Sequence, residues 1–316
     1  MKKIFKLLKD TYSHWDSIDP WATSAIIAYY ALFSLPSVLM ISVSVAGIFF
    51  GTEAVTGSLT KELSVLMGEG SAEAIEGMIK NAMLEDSGAI TYIIGIGMLI
   101  FGATAVFFQL QKALNSIWGV RAKTESIINT MKRRVTAFGL VAAIAFLLLI
   151  SLGASAVIDV FSNYLSTYYS KTSAIVVEVF NIILSQIFIT ALFASIFSIL
   201  PDVKLKWKYT ILGASVTSLM FLLGKYGIGY YFANSNPASV FGAASGVVLV
   251  LLWVYYSCLI LFFGASFTVV WTNHRNIIVE PTNDATISYA RELSDLKSYK
   301  AAAEMQHNQE KDKTSL

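Results

Sequence analysis

Residues 239–271 read SVFGAASGVVLVLLWVYYSCLILFFGASFTVVW, 33 consecutive positions without a charged side chain. A helix needs about 20 apolar residues to cross about 30 Å of hydrocarbon, and this stretch exceeds that. Five more apolar segments lie upstream, at 22–50, 89–111, 135–158, 174–200 and 209–232. The chain carries 23 basic and 21 acidic residues, yet across all six segments only Glu178 and Lys225 are charged. Segregation this sharp predicts an all-α fold, a polytopic transmembrane bundle of six spans over 22–271. A transmembrane β-barrel would show short alternating segments instead, and the sequence has none.

Charge in the connecting loops orients the bundle. The N-terminal segment 1–21 carries Lys2, Lys3, Lys6 and Lys9, and loop 112–134 has six basic residues against Glu125. Loop 201–208 holds three lysines against Asp202, whereas loop 51–88 has seven acids against two lysines. Loop 159–173 balances Asp159 with Lys171, and 233–238 has no charge. Basic loops alternate with neutral or acidic ones, so the positive-inside rule predicts both termini in the cytoplasm.

Lys6, Lys9, Asp10, Asp16 and Asp19 interrupt any early apolar region, so a cleaved signal peptide is not expected. Within 1–21, Ile4, Leu8, Tyr12 and Trp15 fall near one helical face. That pattern suits an amphipathic helix on the inner leaflet with its lysines towards anionic lipid, or a plain cytoplasmic helix. In the first outside loop, Val55, Leu59, Leu63 and Leu66 keep helical spacing, and so do Ile75, Ile79 and Met83. Two short amphipathic helices are expected there. The tail 272–316 is expected to be cytoplasmic and partly disordered, because its end is polar and of low complexity.

Charge at membrane depth is expensive and marks a site by default. Glu178 enters about one turn deep on the fourth span, and Lys225 lies about two turns from the same side on the fifth. They can form an ion pair, or each can snorkel separately to headgroups. Asn181 and Ser185 extend a polar stripe from Glu178, with Gln186 beside it. Such a stripe either hydrogen-bonds to neighbouring helices or lines a wet cavity. At the end of the second span, Gln111, Asn115 and Trp118 share a face; Trp118 suits the membrane interface and Asn115 an interhelical hydrogen bond. Pro36 is expected to kink or break the first span. Gly242 and Gly246 permit close helix approach, and small-residue faces of this kind also permit a homo-oligomer.

These stretches carry a family resemblance over about residues 15–275. Ala28-Tyr29-Tyr30 through Pro36, Leu110-Gln111 with Leu114-Asn115 and Ile117-Trp118, and Leu200-Pro201 followed by Trp207 match the motifs of the YihY / virulence factor BrkB family, long labelled ribonuclease BN. So do Gly213-Ala214, Lys225, Val240-Phe241-Gly242-Ala243, Leu252-Trp253-Val254-Tyr255 and Gly264-Ala265. Phe241 stands where the family commonly has tyrosine, and Ser266 where it commonly has glutamate. Roles resting on that hydroxyl or carboxylate do not carry over. The resemblance implies a six-span plasma-membrane protein, often suspected of transport, and supplies no mechanism.

Three functions are weighed. A transporter or flippase-like permease, for a lipid or other amphipathic solute, accords with the polar stripe and with Glu178 and Lys225. No G-x-x-x-x-G-K-[ST] pattern occurs, so nucleotide hydrolysis by that route is excluded. A metal nuclease needs clustered ligands, but His14, His274 and His307 are far apart in sequence. His14 and His274 could meet on the inner face, yet two residues make no metal site. The basic loop 112–134 is explained by topology, so no nucleic-acid partner, catalysis or cofactor is expected. The third reading is a non-transporting envelope-assembly scaffold. Membrane lipids are partners in either membrane reading.

Overall fold

A computed structural model describes residues 2–50, 56, 57, 59, 60, 73, 76, 77, 80, 89–123, 171–235, 245–288 and 296. The third expected span, 135–158, lies outside the described residues, as does most of loop 51–88. The side chains of Pro36, Glu178 and Asn181 also lie outside them, and so does Gly242.

The described chain is mostly helical. Helix α1 is Lys2–Asp16, α2 Pro20–Phe50 and α3 Ala89–Ile117. Helix α4 is Lys171–Ile199, α5 Trp207–Ser235 and α6 Ser245–His274. Among the described residues, three windows are long and apolar enough to cross a membrane: Ile182–Ile199, Trp207–Ile228 and Val247–His274. Their outer faces carry Ile183, Ile187, Leu219, Leu223 and Leu252, all exposed. Apolar side chains left bare along the middle of long helices suit hydrocarbon, not water. Helix α2 runs unbroken through Pro36, so the expected break is absent from the backbone. One missing donor leaves the rest of the hydrogen-bond ladder intact.

Helix ends follow local chemistry. Asp19 accepts the Ala22 N–H at 3.3 Å on its side-chain oxygen, immediately before Pro20 at the start of α2. Gly119 takes a left-handed φ of 63° after α3, and Asn276 one of 53° after α6. Both are residue types that tolerate that conformation at a helix C-terminus.

The ends of α3, α4 and α6 and the start of α5 lie together, and backbone freed there finds strand partners. Strand β1, Val120–Ala122, pairs antiparallel with β4, Ala285–Ile287, placing Arg121 opposite Thr286. Strand β2, Val203–Lys204, pairs with β3, Glu280–Pro281. The described fold is therefore not purely helical: two short ribbons tie the start of the tail to the loops after α3 and α4. Residues 280–287 are ordered by this pairing, because buried backbone polar groups need partners. The core described at this strand-bearing end includes Trp15, Ile27, Leu114, Ile117, Trp118, Phe193, Phe197, Leu200 and Phe262.

Candidate functional site

Three polar or close-packed seams meet in the bundle. The first is at the strand-bearing end. Helix α3 runs six residues past the apolar segment that ends at Gln111, which brings Gln111 and Asn115 to Asp202. Asn115 Nδ2 donates to Asp202 Oδ2 at 2.8 Å, and the Asp202 backbone N–H donates to Asn115 Oδ1 at 2.7 Å. Gln111 Nε2 donates to Asp202 Oδ1 at 3.3 Å. The Asp202 carbonyl then accepts the Thr282 N–H at 2.9 Å. One residue thus fastens α3 through its carboxylate and backbone N–H, and the tail ribbon through its carbonyl, at the turn after the buried Pro201. Charged acceptors make the stronger hydrogen bonds, so this is a structural clamp. Asp202 was legible in sequence only as one loop charge; its position next to Pro201 gave no sign of the pairing. Trp118 does not sit at a lipid interface: only 5% of it is exposed, and it packs with the core. Gly119 turns the chain out of α3 and into β1 directly after it, which periodicity alone does not reveal.

The second seam joins α4 to α5. Gln186 Nε2 donates to Ser218 Oγ at 2.7 Å, and the Thr190 and Ser218 hydroxyls lie 2.8 Å apart. Gln186 Oε1 is buried without a partner among the described residues. Ser185, expected in the stripe, is exposed, and Gln186 beside it makes the interhelical bond. Lys225 lies seven residues on from Ser218, on the same face of α5, and is half-buried. Its nearest described ring is Tyr226, with Nζ 6.0 Å from the centroid. No carboxylate pairs with it among the described residues. Position 178 lies eight residues back from Gln186 on α4. At 1.5 Å per residue, positions 178 and 225 are each about 10–12 Å from the Gln186–Ser218 bond along antiparallel helices, so they are level.

The third seam joins α5 to α6. A Cβ on Gly213 would overlap the Thr268 hydroxyl, and a Cβ on Gly264 would overlap the Thr217 hydroxyl. Thr217 Oγ1 donates to the Gly213 carbonyl at 2.7 Å, and Thr268 Oγ1 to the Gly264 carbonyl at 2.8 Å. Further along, Gly224 leaves room for the Tyr256 phenol. Phe221 meets Trp253 edge-on with centroids 5.8 Å apart. Trp253 and Tyr255 are half-buried. Ser266 is fully buried with its hydroxyl unpartnered among the described residues.

The remaining motif positions sit elsewhere. Tyr29 is exposed and contacts both Tyr30 and Phe33, and Tyr30 meets Phe101 of α3. Ser34 faces Gly102, where an added Cβ would come within 2.7 Å of the serine Cβ. The two bundle histidines do not join as ligands. His274 Nε2 lies 2.9 Å from Asp10 Oδ2, while His14 Nδ1 is buried without a partner among the described residues. Burial holds the His14 pKa below its ordinary value. Among the described residues no group of three His, Cys, Asp or Glu side chains could hold a metal ion.

The chain is similar over part of its length to proteins named UPF0761 membrane protein. It is 30% identical to one from Saccharophagus degradans over 174 residues, covering 55% of this chain and 38% of that protein. It is 27% identical to one from Tolumonas auensis over 195 residues, 59% of this chain and 61% of the relative. A third, from Photobacterium profundum, is 28% identical over 247 residues, 77% of this chain and 73% of its own length. The first two matches thus span less than two thirds of those relatives. No solved structure matches the chain. The family profile described as Virulence factor BrkB matches residues 11–286, which takes in all three seams, and the chain belongs to that family of membrane proteins.

Proposed function

We propose that this chain is a six-span plasma-membrane carrier, a transporter or flippase-like permease for a lipid or other amphipathic solute, with both termini cytoplasmic. The observation that carries this reading is Lys225, a half-buried cation in an apolar helix, two turns from the Gln186–Ser218–Thr190 seam. An amphipathic solute with an anionic headgroup finds a cation and hydrogen-bonding groups on one face, and exposed Leu223, Tyr226 and Tyr230 beside them for its apolar part. Reconstitution into liposomes with a fluorescent anionic phospholipid tests it. Wild-type protein should raise the fraction of inner-leaflet probe that dithionite reaches, and Lys225→Met at equal protein content should abolish the rise. Equal rates in the two proteins would remove the reading. Impermeant thiol labelling of single cysteines at Ser71 and Thr124, in a Cys258→Ala background, tests the topology. Position 71 should label in intact cells and position 124 should not.

A scaffold role is the second reading, and the α5–α6 seam favours it. Reciprocal glycine–threonine packing leaves no room for a solute between those two helices. A bundle built that way along every seam would hold other envelope proteins and move nothing.

A further inference from the structure

Helix α1 presents three separate strips. Thr11 and Trp15 are buried, with Leu7, Asp10 and His14 half-buried beside them. This strip is fixed to α6 at two levels: Asp10 meets His274, and the Trp15 indole N–H donates to the Leu259 carbonyl at 3.2 Å. Trp15 also packs on Trp21 and Phe263, with centroids 5.0 and 6.0 Å away. Trp15 is therefore an anchor into the bundle and not part of a lipid-facing strip. A second strip, Ile4, Phe5, Leu8 and Tyr12, is 48–72% exposed. A third, Lys3, Lys6 and Lys9, is exposed on the other flank of the bundle-facing strip. At about 100° per residue, Lys9, Lys6 and Lys3 follow the apolar strip round the helix and close the circle back to the bundle, with Lys3 falling between Asp10 and His14.

We propose that α1 docks on an anionic lipid leaflet, its apolar strip among acyl chains and its lysines at the headgroups. This does not rest on the carrier reading. The apolar strip adjoins a face already held by the bundle, so lipid around the bundle meets it directly; Lys9 borders it next to Phe5, and the long side chains of Lys6 and Lys3 bend back to the same headgroups. The same end of the molecule adds exposed Lys204, Lys206 and Lys208 around an exposed Trp207, the residue pairing favoured at a membrane interface. The acids of α1, Asp10 and Asp16, do not cancel this charge, because Lys2, Lys3, Lys6 and Lys9 outnumber them. A peptide partner would not need the lysines to flank the apolar strip; a charged surface with an apolar interior does.

Full-length protein in nanodiscs tests the inference. Nitroxide labels are placed singly at Ile4→Cys, Leu8→Cys and Lys6→Cys in a Cys258→Ala background. These positions are exposed, so labelling removes no core contact. In phosphatidylglycerol discs, labels at 4 and 8 should relax more with oxygen than with a water-soluble nickel chelate, and the label at 6 should do the reverse. In phosphatidylcholine discs the oxygen preference at 4 and 8 should fall, as it should in phosphatidylglycerol once Lys3, Lys6 and Lys9 are changed to Gln. Nickel preference at 4 and 8 in phosphatidylglycerol would overturn the proposal. So would protection from both reagents, which would mean a protein partner or a second copy, or an oxygen preference indifferent to lipid charge.

Discussion

Gly213 of α5 lies beneath Thr268 of α6, and four residues along each helix the arrangement repeats with the partners exchanged, Gly264 of α6 beneath Thr217 of α5. Each threonine returns its hydroxyl proton to the carbonyl of the glycine on its own helix. The hydroxyls are thereby satisfied inside the helix, and the same oxygen atoms fill the space that the facing glycine leaves. Close approach of this kind substitutes for the hydrophobic effect, which supplies little between helices already in lipid.

Gly213→Ala or Gly264→Ala should therefore destabilise the protein by about 1–3 kcal/mol, the usual cost of overpacking a tight contact. Gly227 lies on the same helix with nothing within 4 Å of an added Cβ. Gly227→Ala should be neutral or stabilising by up to about 1 kcal/mol, from helix propensity alone. Thermal unfolding in lipid nanodiscs compares the three, and equal effects at 213 and 227 would count against the packing described.

The Asn115–Asp202 clamp should be strongly cooperative. Asn115→Leu removes the 2.8 Å donor to the carboxylate and the acceptor of the Asp202 N–H, at a cost of about 1.5–3 kcal/mol. The pair of changes Asn115→Ala and Asp202→Ala should be non-additive by more than about 0.5 kcal/mol in a thermal-stability cycle. Proteolytic cutting within the tail should rise in either single variant, since Thr282 is held by the Asp202 carbonyl.

Acid should loosen α1. Burial lowers the His14 pKa, so near and below the ordinary histidine value of about 6.5 the unfolded chain binds more protons than the folded one. The contribution is complete above that value and is lost as pH falls through the folded pKa. The fall in melting temperature between pH 8 and pH 5 should be smaller in His14→Gln than in the wild type. An unchanged pH dependence would show that His14 charges freely in the folded protein.

Much of this architecture is legible in the sequence, and the exceptions have physical reasons. Apolar segments 22–50, 89–111, 174–200 and 209–232 coincide with helices to within a few residues at most ends, because length and lack of charge decide a membrane helix. The helical spacing of Gln111, Asn115 and Trp118 is legible past the apolar segment, but their partner is not, because Asp202 lies 87 residues on from Asn115 in a short basic loop. Strands of two or three residues are too short for an alternating pattern to show. Amphipathic spacing placed Trp15 with Ile4 and Leu8, but a period cannot tell a lipid-facing side chain from one that packs on protein. Ser185 and Gln186 are neighbours in the polar stripe, and only the position of α5 selects Gln186. The interlocked glycines and threonines depend on the register of two helices, which neither helix encodes alone.

The claim that matters most is a polar site between α4 and α5 built on positions 178 and 225. A double-mutant cycle on thermal stability in lipid, with Glu178→Gln, Lys225→Met and both together, tests it directly. Removing one charge leaves the other uncompensated at membrane depth, so the double variant should lose less than the sum of the single losses. Coupling above about 0.5 kcal/mol is the predicted result, and additivity within that margin would contradict the site.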